Sequence, residues 1–542
     1  MKQNVTRILA FLMVVVLSMT LAACSTGQTS GPSTATEPSP QAFSGGSGTA
    51  ADPNNPWAGL DLSKRETINC YVVGTLGTDW ERITQMAIKK IEDKINTTVS
   101  FVHVPWSDFQ AKYTLFLAAD ADVDIIYAAP WCNFAEYVQS GAFKGFDMDF
   151  VKKYMPLTYE KQAKASWDEV TFDGMIYGIP QNYASLTAGG VITTQDILDK
   201  YNFKAEDIKS YADLKRFLLT IAADKNSNGM YAINPQNSYP MDSQYIGYHT
   251  FGMDAGNVTW MLYPYEKEKL NGTFDINNLQ WFAMTDIYRQ FCLEMAEFNK
   301  AGVFPANVMS ASTMINQNFI EGKSAINFST PEDANAVRAE MKAKGKEVVY
   351  LDCTFDDGSV TMRGGYLGYA ASFPVNSKKT ERAATALDCM KFEPEINRLL
   401  VGGIEGEHYI LDKENNKRLL GPRASAYPWN SWFSFLLINQ DDPELKIDDD
   451  LQAIQDRYVS AEVSRDNFPV IGFTYDNSKY QAEIAVLSSL FNEYRFSFCF
   501  GIFQDNTEAK LEEFISRCKD AGIDKVIADY KQQLQAYIDS KK

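Results

Sequence analysis

Histidine is scarce in this chain of 542 residues, with only His103, His249 and His408. None lies in a motif with a nucleophile, and no G-x-S-x-G, H-E-x-x-H, Walker A or G-x-G-x-x-G pattern occurs, which counts against the commonest hydrolytic, nucleotide-dependent and dinucleotide chemistries. Positive charge is also short. Lys and Arg total 51 against 69 acids, for a formal net charge of −18. That balance argues against a nucleic-acid partner, which requires a basic face, and against close adhesion to an anionic membrane surface. Neutral or cationic ligands suit it better. Beyond the N-terminus no apolar run is long enough to span a bilayer. Cysteine gives no framework either. Setting aside Cys24, the other seven (Cys70, Cys132, Cys292, Cys353, Cys389, Cys499 and Cys518) are odd in number, form no C-x-x-C, and mostly sit in apolar patterns. They read as small buried hydrophobes rather than disulfides or metal ligands.

What is present begins with a leader. Lys2 and Arg7 precede a short apolar stretch, 8–19, of signal-peptide length. Leu21-Ala22-Ala23-Cys24 follows directly and is similar to the lipobox of bacterial lipoproteins. A signal peptide over 1–23 is expected, with Cys24 acylated (palmitate among the chains) and the mature protein extracytoplasmic and lipid-anchored. An ordinary signal peptide with a chance cysteine is the alternative. Loss of Lys2 and Arg7 with the leader would take the net charge from −18 to −20. Residues 25–56, "STGQTSGPSTATEPSPQAFSGGSGTAADPNNP", have almost no large apolar groups and cannot bury enough surface to order themselves. Lipidated Cys24 and a disordered tether are therefore assigned to 24–58.

The remainder is too long for one ordinary core. Aromatics are plentiful at 13%, and the surplus either fills a large core or lines a cleft. "ETINCYVVG" reads as a strand. "DWERITQMAIKKIEDKI" follows as a helix with Ile83, Ala87, Ile91 and Ile95 on one stripe. "TTVSFVHV" is a second strand, and "SDFQAKYTLFLAA" a helix with Ser107 as N-cap and Phe109, Tyr113, Phe116 and Leu117 facing in. "DIIYA" is a third strand. This alternation predicts a parallel α/β sheet, in which ligands meet the loops beyond the C-terminal strand ends. "DGMIYGIPQNYASLTAGGVITTQDIL" reads as a crossover between lobes. A long helix ends at Gly302, and two amphipathic helices, 507–521 and 524–539, close the chain. There is no internal repeat.

Four stretches carry a resemblance. They are "QNFIEGKSAINFSTPE", "AASFPVNSKKTERAATALDCMKF", "LLVGGIEGEHYIL" and "GIDKVIADYKQQLQAY", in that order over about 65–540. Together they resemble the extracellular solute-binding proteins of bacterial ABC importers, of the large oligosaccharide-binding type (family 1). The resemblance implies an α/β, two-lobed, periplasmic-binding-protein-like fold (type II) with a ligand cleft between the lobes. It implies capture of an oligosaccharide or glycoside and delivery to the transmembrane subunits of an ABC permease, by a monomer that touches the membrane only through its lipid and catalyses nothing. The acids that usually flank the helix starts are partly absent, and the broad ligand range of the family leaves the sugar open. Crossings are expected near 183, 329 and 393. Lobe 1 would hold 59–182 and, on its return, 329–393. Lobe 2 would hold 183–328 and most of 394–542.

Sugars present apolar C–H faces and polar edges, so aromatic rings with Asn, Asp or Glu beside them suit a sugar cleft. Trp131 and Asn133, past the "DIIYA" strand, fit that description; packing of Trp131 in its own lobe is the alternative. Trp80 lies on the same sheet edge, and Asp79 beside it is expected to cap the helix. Asn182 and Tyr183 lie on the crossover. Trp429 and Trp432 share one helical face, with one of them expected in the cleft and core packing as the alternative. "SYPMDSQYIGYHTFG" offers Tyr239, Tyr245, Tyr248 and His249 from lobe 2, and Glu332, after the strand 325–328, is a further cleft candidate. No cofactor is expected to be required. Asp224, Asn226, Asn228 and Met230, with Gly229 at the sixth place, match half of an EF-hand-like loop, and some members of the family carry a structural calcium in such a loop. Ala232 and Pro235 stand at the ninth and twelfth places, so a plain Asn-Gly turn is favoured. The 69 acids leave room for a glycosidase pair, which depends on geometry rather than spacing. A lipid-anchored glycoside hydrolase is the alternative reading and a surface adhesin a third, disfavoured by the lack of repeats.

Overall fold

A computed structural model describes residues 55–540, apart from 106–107, 119–120, 184–188, 248–249, 254–256, 265–273, 354–364, 415–416, 429–431, 440–443, 446, 461–468 and 471–472. Cys24, the signal segment, most of the tether and the Ser107 cap lie outside the described residues.

The first half of lobe 1 follows the alternating pattern. Strands Glu66–Val73 and Thr97–Val104 pair in parallel, and Cys70 bridges in parallel to Ile125, which leads into the strand Ile126–Ala128. The helix Trp80–Ile95 buries Ile83, Ala87, Ile91 and Ile95 on the predicted stripe. Asn96 ends it in the left-handed conformation, which Asn tolerates better than most residues. Ala370–Ser372 then inserts antiparallel between Ile126–Ala128 and Ile179–Pro180. In lobe 2, Gly190–Thr194 runs antiparallel between Asn327–Ser329 and Val348–Leu351. Gly190 is tightly enclosed there: a Cβ would lie 2.6 Å from the Leu351 carbonyl oxygen. The long helix Asp286–Ala301 ends at Gly302 as expected, and the closing helices are Thr507–Asp520 and Ile523–Ser540. All seven described cysteines are buried, and none is in a disulfide among the described residues.

Two hydrophobic cores define the lobes, and three chain passages connect them. One core joins Trp57 through Ile179 with Leu367 through Val401 and Trp432 through Leu437. The other joins Val191 through Cys353 with Val470 through Ile538. A smaller cluster of Ile192, Phe319, Ala334, Tyr350, Ile447 and Leu451 belongs with the second lobe. The chain therefore leaves lobe 1 between Pro180 and Gly190. It returns between Cys353 and Gly365, not near 329, because the strand ending at Ser329 and the helix Pro331–Ala343 both pack inside lobe 2. The third passage falls between Leu437 and Ile447, not near 393. The helices Thr380–Phe392 and Pro394–Gly402 both bury their apolar faces in lobe 1, so the stretch after 394 stays there as far as Leu437. The folded body also begins earlier than 59. Trp57 is buried and donates its indole N–H to Asp388 at 2.9 Å.

Candidate functional site

The first and third passages are tied to each other and to the start of the strand Ala370–Ser372 at their lobe 1 ends. Gln181 donates its backbone N–H to the Tyr369 carbonyl at 2.8 Å and accepts the Tyr369 N–H on its side-chain oxygen at 2.9 Å. Its amide nitrogen donates to the Tyr183 carbonyl at 2.7 Å. One residue thus fixes the backbone at Tyr183 and Tyr369 together. Asn182 bridges to Asn439 of the third passage. Beneath them the Lys391 ammonium donates to the carbonyls of Pro180 (2.7 Å) and Leu436 (3.1 Å), which precede the first and third passages. Burial without a carboxylate holds this lysine down at about 7.

The sheet directions bring the candidate loops to one edge. Ala370 pairs with both Ala128 and Pro180 in antiparallel register. Tyr369 therefore stands at the edge where the loop 129–133 and the passage 181–183 emerge. Trp131 lies in the short 3-10 turn Pro130–Cys132 on that loop; its side chain lies outside the described residues. Asn133 is exposed, in the left-handed region at φ 61°, with no capping bond from its side chain. Tyr183, Tyr369 and Phe435 are all partly exposed, and the Tyr369 and Phe435 rings lie 4.7 Å apart at 31°.

On lobe 2 the helix Pro331–Ala343 is capped by Thr330, whose hydroxyl accepts the Asp333 N–H at 3.2 Å. Glu332 and Asp333 keep solvent-accessible surface. Protein crowds them closely enough to withdraw water, and both carboxyls are held above their ordinary range. They act on lobe 1. Tyr369 is pushed up to about 12 by burial and then by Asp333, and Tyr183 is raised by burial, Tyr369 and Glu332. Gln455, on the helix Asp449–Ser460, lies near Glu332 and counteracts part of that rise. The Gln455 carbonyl oxygen is buried and has no protein partner. Tyr183 and Tyr369 of lobe 1 are thus within electrostatic reach of Glu332 and Asp333 of lobe 2.

Other sequence candidates sit elsewhere. Asn182 is 1% exposed and accepts the Ala163 N–H at 2.8 Å, so it pins the passage rather than facing a ligand. Tyr245, 2% exposed, packs edge-on to Tyr211 and donates to Glu294, because its helix buries it in the lobe 2 core. Trp432, 0% exposed, donates its indole N–H to the Ala370 carbonyl and packs on Tyr127. It belongs to the core, and Phe435 three residues on is the partly exposed ring. Trp429, Tyr248 and His249 lie outside the described residues. Tyr239 packs on the lobe 2 core and stacks on Phe328.

Trp80 is half-buried, stacked on Tyr427 at 5.9 Å and edge-on to Phe101, which commits one ring face to its own lobe. Asp79 does not cap its helix. Its carboxylate instead accepts from Arg423 (2.7 Å), Arg82 (2.8 Å) and His408 (3.0 Å) and is held far below its ordinary value, chiefly by Arg423. With Glu407 and His408 this is a metal-like triad in type, but the two guanidiniums already supply its positive charge. The 224–230 loop does not fit a calcium ion. Asp224 is paired with Lys200 at 2.7 Å, accepts from Tyr201 and the Asn226 N–H, and is lowered to about 2. Asn228 and Gly229 take the left-handed conformations of an Asn-Gly turn.

Tyr369, Phe435, Asp333, Gln455 and Gln181 were not singled out from the sequence. The available signal for Tyr369 was its place one residue before an apolar strand. An antiparallel strand contributes its N-terminal flank to the edge where parallel neighbours end.

The model of the bacterial extracellular solute-binding protein family matches residues 86–393, more than half of the chain, and the chain belongs to that family. A second family model, a domain of unknown function, matches residues 469–539. A Streptococcus pneumoniae protein described as a carbohydrate ABC transporter substrate-binding protein is 20% identical over 503 residues, covering 89% of this chain and 93% of that one. Among solved structures, the N-glycan transport solute binding protein NgtS of S. pneumoniae, in complex with Man1GlcNAc, superposes with a TM-score of 0.66 at 16% identity, covering 88% of this chain and 100% of that one. A human-milk-oligosaccharide-binding solute-binding protein associated with an ABC transporter of Bifidobacterium longum infantis gives 0.57 at 15%, covering 88% and 99%. Both share the two-lobed solute-binding fold.

Proposed function

We propose that this protein captures an oligosaccharide or glycoside outside the cytoplasm and delivers it to an ABC permease, held to the membrane through lipid on Cys24. The observation that supports the reading is the gathering of Tyr183, Tyr369, Phe435 and Asn133 along one edge of lobe 1, with Glu332 and Asp333 of lobe 2 within electrostatic reach of the tyrosines. Rings take the C–H faces of a pyranose, and the polar groups take its hydroxyls. The carbohydrate ABC transporter relative, the N-glycan complex of NgtS, and a FusA complex with kestose support the same ligand class.

The test is a melting-temperature screen over a glycan panel with recovery of each glycan afterwards. A true ligand at 100 times its Kd stabilises the fold by about 2.7 kcal/mol, a clear upward shift, and is recovered intact. New reducing ends in the recovered sugar would identify a hydrolase instead.

A further inference from the structure

We infer that Glu169 is a positioning residue for the ligand: its carboxylate, with the Gln181 side chain, clasps the segment 365–369 to lobe 1 so that the Tyr369 ring stands beside Phe435 as a preformed platform for a sugar face. This rests on the carbohydrate reading above and deepens it.

Residues 365–369 lie in neither a helix nor a strand, so their backbone N–H groups have no ladder to join and need other acceptors. Two buried side chains of lobe 1 provide them. Glu169, in the 3-10 turn Lys164–Val170, accepts the N–H groups of Tyr366 (2.7 Å) and Leu367 (3.0 Å) on a single carboxylate oxygen. Gln181 accepts the Tyr369 N–H at 2.9 Å. Three of the four N–H groups in 366–369 are therefore held by two side chains.

The two anchors are joined to each other. Gln162, also buried, donates from its amide nitrogen to the Ser166 hydroxyl and to the Gln181 carbonyl, both at 2.9 Å. Ser166 belongs to the same turn as Glu169. Gly365 completes the clasp. A Cβ there would lie 2.1 Å from the Glu169 oxygen that makes both bonds, so only glycine lets the carboxylate come up to the chain. Between the anchors Leu367 is buried in the lobe 1 core, while Tyr366 and Tyr369 stay partly exposed. The Tyr369 ring is the one that meets Phe435.

Each of these bonds is made within lobe 1, so the platform needs neither lobe 2 nor a ligand to form it. A ring on a loose loop stands in its binding position only part of the time, and the apparent affinity falls by that fraction. The clasp keeps the fraction high.

The probes are three labelled oligosaccharide pools, neutral, amino-substituted and uronic, offered to the full-length protein. Retained species are identified by mass spectrometry, and the affinity of the best-retained one is measured by titration. Glu169→Ala and Gly365→Ala attack the clasp from its two sides. Each is expected to weaken that affinity by about tenfold, as when the competent fraction falls to about one in ten. Glu169→Gln keeps a carbonyl oxygen able to accept both N–H groups, and should fall between wild type and Glu169→Ala. In a Tyr369→Ala background Glu169→Ala should add little, because residues that act through one another are not additive. Amide exchange at Tyr366 and Leu367 should accelerate in Glu169→Ala without ligand. Melting temperatures show which variants fold, and if Glu169→Ala does not, Gly365→Ala carries the same test with the carboxylate retained. Unchanged affinity in a folded Glu169→Ala or Gly365→Ala protein, or the full loss repeated in the Tyr369→Ala background, overturns the inference while leaving the carbohydrate reading intact. Retention of no pool by the folded wild type overturns the carbohydrate reading and this inference with it.

Discussion

At the scale of single residues, two tryptophans carry opposite expectations. Trp432 is fully enclosed, with its indole N–H on the Ala370 carbonyl. Trp432→Ala should cost about 3–5 kcal/mol of stability, the range for emptying a large buried aromatic site, and leave the affinity of the folded fraction unaltered. Trp131, on the loop beside Tyr369, is proposed as a stacking platform. Trp131→Ala should weaken glycan binding by about 1–3 kcal/mol, as for loss of a central aromatic anchor, with little change in melting temperature. Measuring both quantities on both variants separates the roles, and a large drop in melting temperature for Trp131→Ala would assign that ring to the core. The sequence could not make this distinction. Period and hydrophobicity say which residues share a helix face, but "PWNSWFSFLL" is apolar on nearly every face. Only the register of Trp432–Leu437 against Ala370 decides which ring goes inward.

At the scale of elements, legibility followed locality. The Ile83, Ala87, Ile91, Ile95 stripe and the Gly302 stop were readable because period and capping are properties of a few neighbouring residues. The crossings near 329 and 393 were misplaced because Thr330-Pro331 and Glu393-Pro394 are helix starts, and a helix start has the same signature whether the chain changes lobes or stays. Lys391 shows what local reading misses. It looks like a solvated charge near a helix end, yet it is the buried tie between two interlobe passages. Its amine is held down at about 7, against 10.5 ordinarily. Between those values the unfolded chain binds more protons than the native state, so stability rises with pH across that window and the benefit is complete above it. The neutral amine still has two N–H groups for the two carbonyls. Urea denaturation at pH 7, 8.5 and 10 should show the wild type gaining stability relative to Lys391→Met as pH rises. Parallel curves for the two proteins would mean that Lys391 titrates normally.

At the scale of the whole molecule, the three passages set how the lobes can move. Gln181 ties the first to Tyr369, where the chain has already re-entered lobe 1 after the second, and the Asn182–Asn439 bridge ties the first to the third, so the lobes are joined by a strap bound at its lobe 1 end. Such a strap permits bending and resists twisting or separation, which is the hinge type of domain motion. A ligand drives that bend only by contacting the closed form more strongly than the open one, as the proposed site would through rings on one lobe and carboxylates on the other. A glycan found in the melting screen should therefore contract the protein on saturation, seen as a fall in the radius of gyration by X-ray scattering. Gln181→Ala should loosen Tyr183 and Tyr369 relative to one another, weakening binding while each lobe keeps its own core. The scattering curve of saturated Gln181→Ala should still contract, because the bending axis survives in the third passage. If saturated wild type scatters identically to the free protein, the lobes do not close, and specificity must reside on one face of the cleft alone.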